Sequence, residues 1–334
     1  GARKLRDWIL HPVSERSTLE GRHDLIARFL SESFLLATCR DTLKNVRDIE
    51  RCSGRLAQGS GNPRDLLALQ TSLSHIPSLR SNLDALSATG SGQLGLAMEI
   101  LTGLHEFPQL VDLLERALVE EPPASPREGG LLKEGFSLEL DELRSASRDG
   151  KEWIAQLQKS ERERTGIDSL KIKFNNVFGY FIEVTKANLS KVPEDYQRKQ
   201  TMANAERYIT PALKEVEGKV LGADEKAKQL EYEEFVKLRN EITSHLDELQ
   251  ECASSLATLD VLLGLAETAQ LYQHTRPLLD DSRDLEIING RHPVLEQTLV
   301  EEKFVPNDSS LHHEDSRLLI ITGPNMAGKS TYIR

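Results

Sequence analysis

One segment of this 334-residue chain, between residues 221 and 271, carries a long and regular apolar repeat. Its apolar residues step by three and four positions, close to the 3.5-residue period that is typical of paired helices. The residues on this repeat are Phe235, Leu238, Ile242, Leu246, Leu249, Ala253, Leu256 and Leu259. About 50 residues at 1.5 Å per residue form a helix roughly 75 Å long. Such a helix cannot be buried within one compact domain, so it needs a partner helix.

A second helical segment, at residues 137–164, is the candidate for that partner. Leu140, Leu143, Ile154 and Leu157 give it an apolar face, and it ends in the charged run SERERTG. Acidic and basic side chains in that run are spaced as i,i+3 and i,i+4 partners on an exposed helix. We therefore expect two antiparallel helical arms, with Leu246 and Leu249 buried against the opposing arm.

The first 118 residues read as several shorter amphipathic helices joined by short turns. Gly and Pro at residues 59–63 interrupt the helical pattern, and Pro63 stands where a new helix can begin. Residues 120–130 contain three prolines and two glycines, which predicts a linker or an exposed loop.

Between the two arms the apolar period changes from helical to two. Ile172 and Phe174 alternate with lysines, and Tyr180, Ile182 and Val184 alternate with their neighbours after a turn at residues 175–178. This pattern predicts a β-hairpin. A small β-rich unit is therefore expected at the tip of the helical arms.

The net charge of −11 argues against a nucleic-acid binder, whose binding surface is usually basic. The charge is unevenly distributed, however. Residues 154–220 contain 12 Lys and Arg against 9 Asp and Glu, a balance of +3 that leaves −14 for the rest. The candidate DNA-binding residues in this tip are Lys171, Lys173, Lys186, Lys191, Arg198 and Lys199. Alternation along a strand directs Lys171 and Lys173 away from the small core together. Two interpretations stay open: a surface that binds DNA phosphates, or a polar face that only keeps the tip solvated.

Other reactive side chains do not form a recognisable site. Cys39, Cys52 and Cys252 lie at no metal-ligand spacing and are expected to be reduced thiols of a cytosolic protein. His312 and its neighbour are expected to be a solvated loop pair, and His292 to cap or pack a turn. The sequence shows neither a basic-then-apolar leader nor about 18 consecutive apolar residues, so neither secretion nor a membrane span is expected.

A phosphate-binding loop is predicted near the end of the sequence. Residues 323–330, GPNMAGKS, fit the pattern G-x-x-x-x-G-K-[ST] and follow an apolar run at 317–322 that predicts a buried strand. Glycines allow backbone N–H groups to converge on phosphate oxygens, and the helix that follows adds its positive dipole end. Lys329 would bind the β- and γ-phosphates, and the Ser330 hydroxyl would bind Mg²⁺.

A loop of this kind forms only part of a nucleotide-hydrolysing site. Phosphoryl transfer also needs a second magnesium ligand and a group that positions water. Both are expected beyond residue 334, so we expect this chain alone to be inactive as an ATPase, although a longer protein of this type would be a DNA-dependent ATPase.

Several stretches together resemble the MutS family. TGPNMAGKSTY at residues 322–332 is similar to the family's phosphate-binding loop, in which Asn-Met is characteristic. INGRHPVLE at 288–296 and FVPND at 304–308 resemble the entry to its ATPase domain. FNNVFGYFIEVTKANL and QRKQTMANAERYITPALKE resemble its clamp domain, and DIERCSGRLAQGSGNPRDL resembles its core domain. The resemblance extends over nearly the whole chain.

The resemblance implies a mainly α fold, with a long helical lever, a β-rich clamp at its tip and the first strands and phosphate loop of an α/β ATPase domain. The implied domains are helical core and lever at 1–153, clamp at 154–214, returning lever helix at 215–277 and the start of the ATPase domain at 278–334. The family's mismatch-reading and connector domains would precede this chain.

The resemblance also implies the site residues and the partners. ATP or ADP with Mg²⁺ would be bound by Gly323, Pro324, Asn325, Met326, Ala327, Gly328, Lys329, Ser330 and Thr331, with adenine stacked on Phe304. The clamp would hold mismatched duplex DNA by its backbone, the whole protein would form a homodimer, and a MutL-type protein would be a partner. A bacterial, cytoplasmic and nucleoid-associated protein is implied.

Two alternatives remain open from the residues themselves. One is a different DNA-handling ATPase with long helical arms, acting in recombination or chromosome organisation. The other is a purely structural helical scaffold.

Overall fold

The computed structural model describes residues 1–88, 95–175, 177–298, 304–324 and 328–333. The chain divides into two compact units. The first consists of Gly1–Ser14 and Gly21–Thr275, and the second of Glu15–Glu20 and Arg276–Arg334. The expected mainly helical fold with a small antiparallel sheet is confirmed.

In the described residues before the long arms, the chain forms eight helices of 9 to 16 residues. They are α1 (Ala2–Leu10), α2 (Arg16–Ser31), α3 (Ser33–Lys44), α4 (Ile49–Ala57), α5 (Pro63–Ser74), α6 (Ile76–Ala88), α7 (Gly95–Gly103) and α8 (Pro108–Ala117). Helix α5 begins at Pro63 as predicted, because Asn62 and Asp65 form a capping box around its first turn. Leucines from α4 to α8 contribute to a continuous core that also includes residues of α2, α3, α10 and α11, and in which Cys39, Cys52 and Cys252 are buried free thiols.

The long arms are α9 (Leu138–Thr165), α10 (Pro211–Ser244) and α11 (Leu246–Tyr272). The predicted pairing of two arms is confirmed, because α9 packs along α10. The prediction of one uninterrupted helix is wrong, because the helix breaks at His245. The hydroxyls of Thr243 and Ser244 donate to the carbonyls of Arg239 and Glu241, and such bonds compete with the helical ladder and bend it.

The break gives α11 a different set of neighbours from those expected. It packs against α1, α3, α4 and α7 rather than against α9. Leu249 is fully buried in that helical core, whereas Leu246 is only half-buried beside the break. The prediction that both leucines pack on the opposing arm is therefore wrong in its partner, and for Leu246 in its burial.

Helix α11 is also long and apolar enough to cross a membrane, with a mean hydropathy of 1.2 over its best window. Composition alone gives weak evidence for a span, since core helices of globular proteins share it. Here seven of its apolar side chains lie in the helical core: Leu249, Cys252, Leu256, Leu259, Leu262, Leu263 and Ala266. Packing within the protein accounts for its composition.

A four-stranded antiparallel sheet is inserted between α9 and α10. Its strands are β1 (Lys171–Asn175), β2 (Gly179–Thr185), β3 (Gln197–Thr201) and β4 (Ala205–Ile209), in the order β1-β2-β4-β3, with a 3₁₀ helix at Lys186–Lys191. The predicted β1–β2 hairpin is confirmed. One face of the sheet packs on the arms, where Ile182, Val184 and Tyr208 contact a core containing Ile154, Leu213 and Val220.

Where the structure describes the second unit after residue 276, it contains a two-stranded antiparallel sheet and two short helices. These are β5 (Leu285–Gly290), α12 (Pro293–Thr298), β6 (Asn307–Leu311) and α13 (Lys329–Ile333). The buried strand predicted at residues 317–322 is wrong, since this segment pairs with no strand among the described residues, and Leu318 and Ile320 are 78% and 82% exposed. A buried strand needs neighbouring strands and a covered face, and the described part of the unit supplies neither to this segment.

Candidate functional site

The outward face of the four-stranded sheet carries a row of charged and polar side chains. Directly paired residues of antiparallel strands lie on the same face. Lys171 pairs with Glu183, Glu183 with Arg207, and Arg207 with Gln200, so one such row crosses all four strands. Lys173, paired with Phe181, lies on this same face. We call Lys171, Lys173, Phe181, Glu183, Gln200 and Arg207 the open face, because the opposite side of the sheet packs on α9 and α10.

Arg207 is a cation of the open face with both an aromatic contact and a side-chain hydrogen bond. Its guanidinium lies 4.3 Å from the centroid of the buried Phe181 ring, and its Nη1 donates to Gln200 Oε1 at 2.8 Å. Stacking on an aromatic ring and a fixed hydrogen bond both restrict the guanidinium. Phosphate recognition benefits from a planar donor held in this way.

The lysines of β1 differ in their partners. Lys173 Nζ is 2.7 Å from Glu183 Oε1, and the same carboxylate is 3.9 Å from Arg207 Nε. Lys171 is exposed on the same face. The structure thus brings Lys171 and Lys173 together on one face, and it places an acidic group between Lys173 and Arg207.

The other predicted DNA-binding residues lie elsewhere around the sheet. Arg198 pairs with Tyr208 on the inward face at the edge strand, with its Nη1 3.5 Å from Glu206. Lys199 is exposed at the irregularity in β3, and Lys186 is exposed at the start of the 3₁₀ helix. Lys191 ends that helix and donates to the Gly166 carbonyl at 3.3 Å. The six residues therefore do not form one continuous patch.

Arg207 lies on the open face but was not among the DNA-binding residues predicted from the sequence. It belongs to β4, whose sequence AERYI alternates Glu206 and Tyr208 with Arg207. Only β1 and β2 were predicted as strands. Extending the period-two analysis to residues 205–209 would have placed Arg207 on the face opposite Tyr208.

The sheet is fixed to α10 through a buried carboxylate. Glu217 accepts from the backbone N–H of Tyr180 at 2.9 Å and from Lys214 Nζ at 2.8 Å. Gly179 has a φ of +75°, and a Cβ there would lie 2.2 Å from Glu217 Oε1. The end of the β1–β2 hairpin is therefore held tightly against the helix.

A second attachment connects α9 to the loop before β3. The Tyr196 hydroxyl donates to Glu161 at 2.7 Å, and Arg164 forms ion pairs with Glu161 and Asp195. Burial first, and then the bond to Glu161, raise the pKa of Tyr196, so that it stays a neutral donor. The predicted i,i+3 partnership of Glu161 and Arg164 is confirmed, and both residues also anchor the sheet.

The phosphate-loop sequence belongs to the second unit. Lys329 Nζ donates to the Gly323 carbonyl at 2.5 Å, which joins the two ends of the loop. Gly328, with a φ of +80°, precedes α13, and Ser330 is exposed at the start of that helix. Tyr332 of α13 accepts from Ser309 Oγ at 2.8 Å and donates to the Asp308 carbonyl at 3.0 Å, so the loop is attached to β6.

The described loop residues supply suitable groups for a nucleotide phosphate. An ammonium, a hydroxyl and glycine backbone lie within eight residues, and an added Cβ at Gly328 would meet nothing within 4 Å. Asn325, Met326 and Ala327 lie outside the described residues, as does the side chain of Thr331. Pro324 is exposed, and Phe304 is half-buried shortly before β6. Binding of ATP or ADP by these residues stays a prediction.

The histidines of the second unit have structural contacts. His292 Nδ1 accepts from the backbone N–H groups of Val294 and Leu295 at 3.3 Å, which confirms that it caps a turn. His312 contacts Ser310 at 2.8 Å, and the His313 N–H donates to Asp284 at 2.8 Å. Within the described ranges, no three His, Cys, Asp or Glu side chains are grouped as metal ligands.

The chain thus combines paired helical arms and an inserted four-stranded sheet in one compact unit with a phosphate-loop sequence in a second. The family model for MutS domain III matches residues 1–266. The DNA mismatch repair protein MutS of Halothermothrix orenii is 47% identical over 338 residues, covering 100% of this chain and 36% of the relative. The MutS proteins of Methanosarcina mazei and Symbiobacterium thermophilum are 48% and 47% identical over 334 residues.

The chain belongs to the MutS family, as its sequence motifs indicated. It spans 36% to 38% of the length of these relatives, so it corresponds to a part of them.

Proposed function

We propose that this chain is the DNA-holding part of a mismatch-repair protein, and that it holds duplex DNA by the phosphate backbone. The observation that carries this proposal is the open face of the sheet. Lys171 and Lys173 are exposed on one face together with the partly buried Arg207, at the end of a paired-helix arm, in a chain that is otherwise strongly acidic. Cations on a surface of this kind bind phosphates independently of base sequence.

The geometry favours backbone contact over base reading. Three cations spread over strands β1 and β4 form a broad, shallow surface, whereas base readout in the major groove is usually made by an inserted helix or ribbon. Arg207, held by Phe181 and Gln200, can bind a phosphate without losing much side-chain freedom. The nearby lysines add charge with little directional demand.

We further propose that the loop at 323–331 binds ATP or ADP with Mg²⁺. The Lys329 ammonium, which bonds to the Gly323 carbonyl, is the group available to the β- and γ-phosphates, and Ser330 is the candidate magnesium ligand. Bound Mg²⁺ would neutralise part of the phosphate charge. A homodimer, a MutL-type partner, and coupling between nucleotide and DNA through the helical arms belong to the same proposal, supported by family membership and by similarity to named mismatch-repair proteins.

Family membership leaves little support for a recombination or chromosome-organising ATPase. The structural-scaffold alternative has one observation in its favour, since Glu183 already neutralises Lys173. Under that alternative the open face only keeps the sheet solvated, and the chain should not bind DNA.

Fluorescence-anisotropy titration with several duplexes of different sequence at 50 mM salt separates these two functions. The chain should bind all duplexes alike, and the charge-reversed pair Lys171→Glu and Lys173→Glu should weaken binding to every duplex equally. Both lysines are exposed on a sheet surface, so the fold should tolerate the change, which circular dichroism can check. Unchanged binding by the double variant, or a loss limited to certain sequences, would contradict the proposal.

A further inference from the structure

The open face contains an acidic group where a DNA-binding surface would be expected to be wholly basic. Glu183 lies at the middle of β2, with Lys171 paired to it on one side and Arg207 on the other. Its side chain keeps 23% of its surface accessible, so it faces the same solvent as the lysines. Any phosphate that approaches Lys173 or Arg207 must come close to this carboxylate.

The bonds of Glu183 differ from those of Glu206 in the sheet and of Glu217 on the supporting helix α10. Glu217 binds a backbone N–H, and Glu206 accepts from the Tyr208 hydroxyl at 2.6 Å on the inward side. Among the described residues, the Glu183 carboxylate has two polar partners, and both are cations: Lys173 at 2.7 Å and Arg207 at 3.9 Å. A half-exposed ion pair of this kind adds little to stability, so folding alone does not account for a carboxylate at this position.

The electrostatic consequence is direct. An ion pair between Glu183 and Lys173 removes one positive charge from those available to phosphates, and the remaining carboxylate charge opposes an approaching phosphate. Each phosphate that a cation neutralises releases counterions, which is the main source of non-specific affinity. A neutral side chain at position 183 would therefore make one more cation available.

We propose that Glu183 limits the affinity of the open face for the DNA backbone. In the free protein it holds Lys173, and on DNA it competes with phosphate for that lysine. The sheet therefore holds the backbone weakly and releases it readily. This inference rests on the proposed DNA-binding function and deepens it by naming the residue that limits binding strength.

The test is to replace Glu183 by Gln, which keeps size and hydrogen bonding but removes the charge. At about 0.1 M salt the Glu183→Gln chain should bind duplex DNA roughly 5- to 10-fold more tightly, and the slope of log K against log salt should become steeper by about 0.9. The matched control is Glu215→Gln. It changes total charge equally and releases Lys219 from a 2.9 Å pair, but it lies on helix α10 outside the open face.

A second variant separates charge from packing. Glu183→Asp keeps the charge with a shorter side chain, and it should bind DNA as the unmodified chain does. If Glu183→Gln binds no tighter than Glu215→Gln while the Lys171→Glu and Lys173→Glu pair weakens binding, the inference is overturned and the proposed function stands. If neither the unmodified chain nor any variant binds duplex DNA, the proposed function fails and takes the inference with it.

Discussion

Single residues fix how the sheet is held on its helical support. Gly179 adopts a backbone conformation that residues other than glycine rarely adopt, and it lies directly beside the Glu217 carboxylate. Neither requirement is visible in the apolar pattern, because the first is a backbone conformation and the second depends on a helix residue 38 positions further along. A change of a single methyl group here tests whether the attachment matters.

We expect Gly179→Ala to destabilise the chain by about 2–4 kcal/mol. About 1–2 kcal/mol comes from the left-handed backbone, and the rest from displacing Glu217 from the Tyr180 N–H. Gly166→Ala is the control, because its φ is also positive, at +65°, but a Cβ there meets nothing within 4 Å. Urea unfolding of both variants gives the comparison. Equal losses would mean that the Glu217 contact does not hold the hairpin.

At the scale of elements, the break at His245 decides what each helix packs against. Leu249 is fully buried among the helices of the core, so Leu249→Ala should cost about 2–5 kcal/mol. Leu246 is half-buried next to the break, so Leu246→Ala should lower the free energy of unfolding by less than about 2 kcal/mol. Leu271 is 69% exposed near the end of α11, so Leu271→Ala should change the free energy of unfolding by less than about 0.5 kcal/mol. Equal losses of unfolding free energy for Leu246→Ala and Leu249→Ala in urea would contradict the placement of a break at His245.

The elements also show which features a sequence can predict. Helices α9 to α11 and the β1–β2 hairpin were predicted because their apolar residues repeat regularly. The helix break was not, because no proline or glycine marks it; the hydroxyls of Thr243 and Ser244 bond to carbonyls of the preceding turn there. Strand β3 was missed because QRKQT is almost entirely polar and forms an edge strand, and β4 was missed because the period-two analysis was not extended to AERYI. The strand at 317–322 was predicted from composition, but burial depends on neighbours that composition does not report.

The candidate site was predicted in part for the same reason. Alternation correctly placed Lys171 and Lys173 on one face, because β1 is regular. It could not predict that Glu183 would bind Lys173, or that Arg207 would join them from β4, since both depend on strand order. The phosphate loop was recognised from its local motif, and its nucleotide contacts stay a prediction.

In the whole molecule, DNA binding requires the attraction of a local basic surface to exceed the repulsion between DNA and an acidic chain. The chain carries a net charge of −11, so negatively charged DNA repels the chain as a whole. Attraction has to come from a few phosphate contacts at short range, because salt screens the distant charges. Binding should therefore be weak, with dissociation constants of about 10⁻⁴ to 10⁻⁶ M at physiological salt.

The most direct test is the salt dependence of duplex binding by the unmodified chain, measured by anisotropy from low to physiological salt. If the three cations of the open face neutralise two or three phosphates, log K should fall against log salt with a slope of about −2 to −3. The Lys171→Glu and Lys173→Glu pair should reduce that slope. A slope near zero for the unmodified chain, or the same slope for both proteins, would contradict the claim that this sheet holds DNA by its backbone.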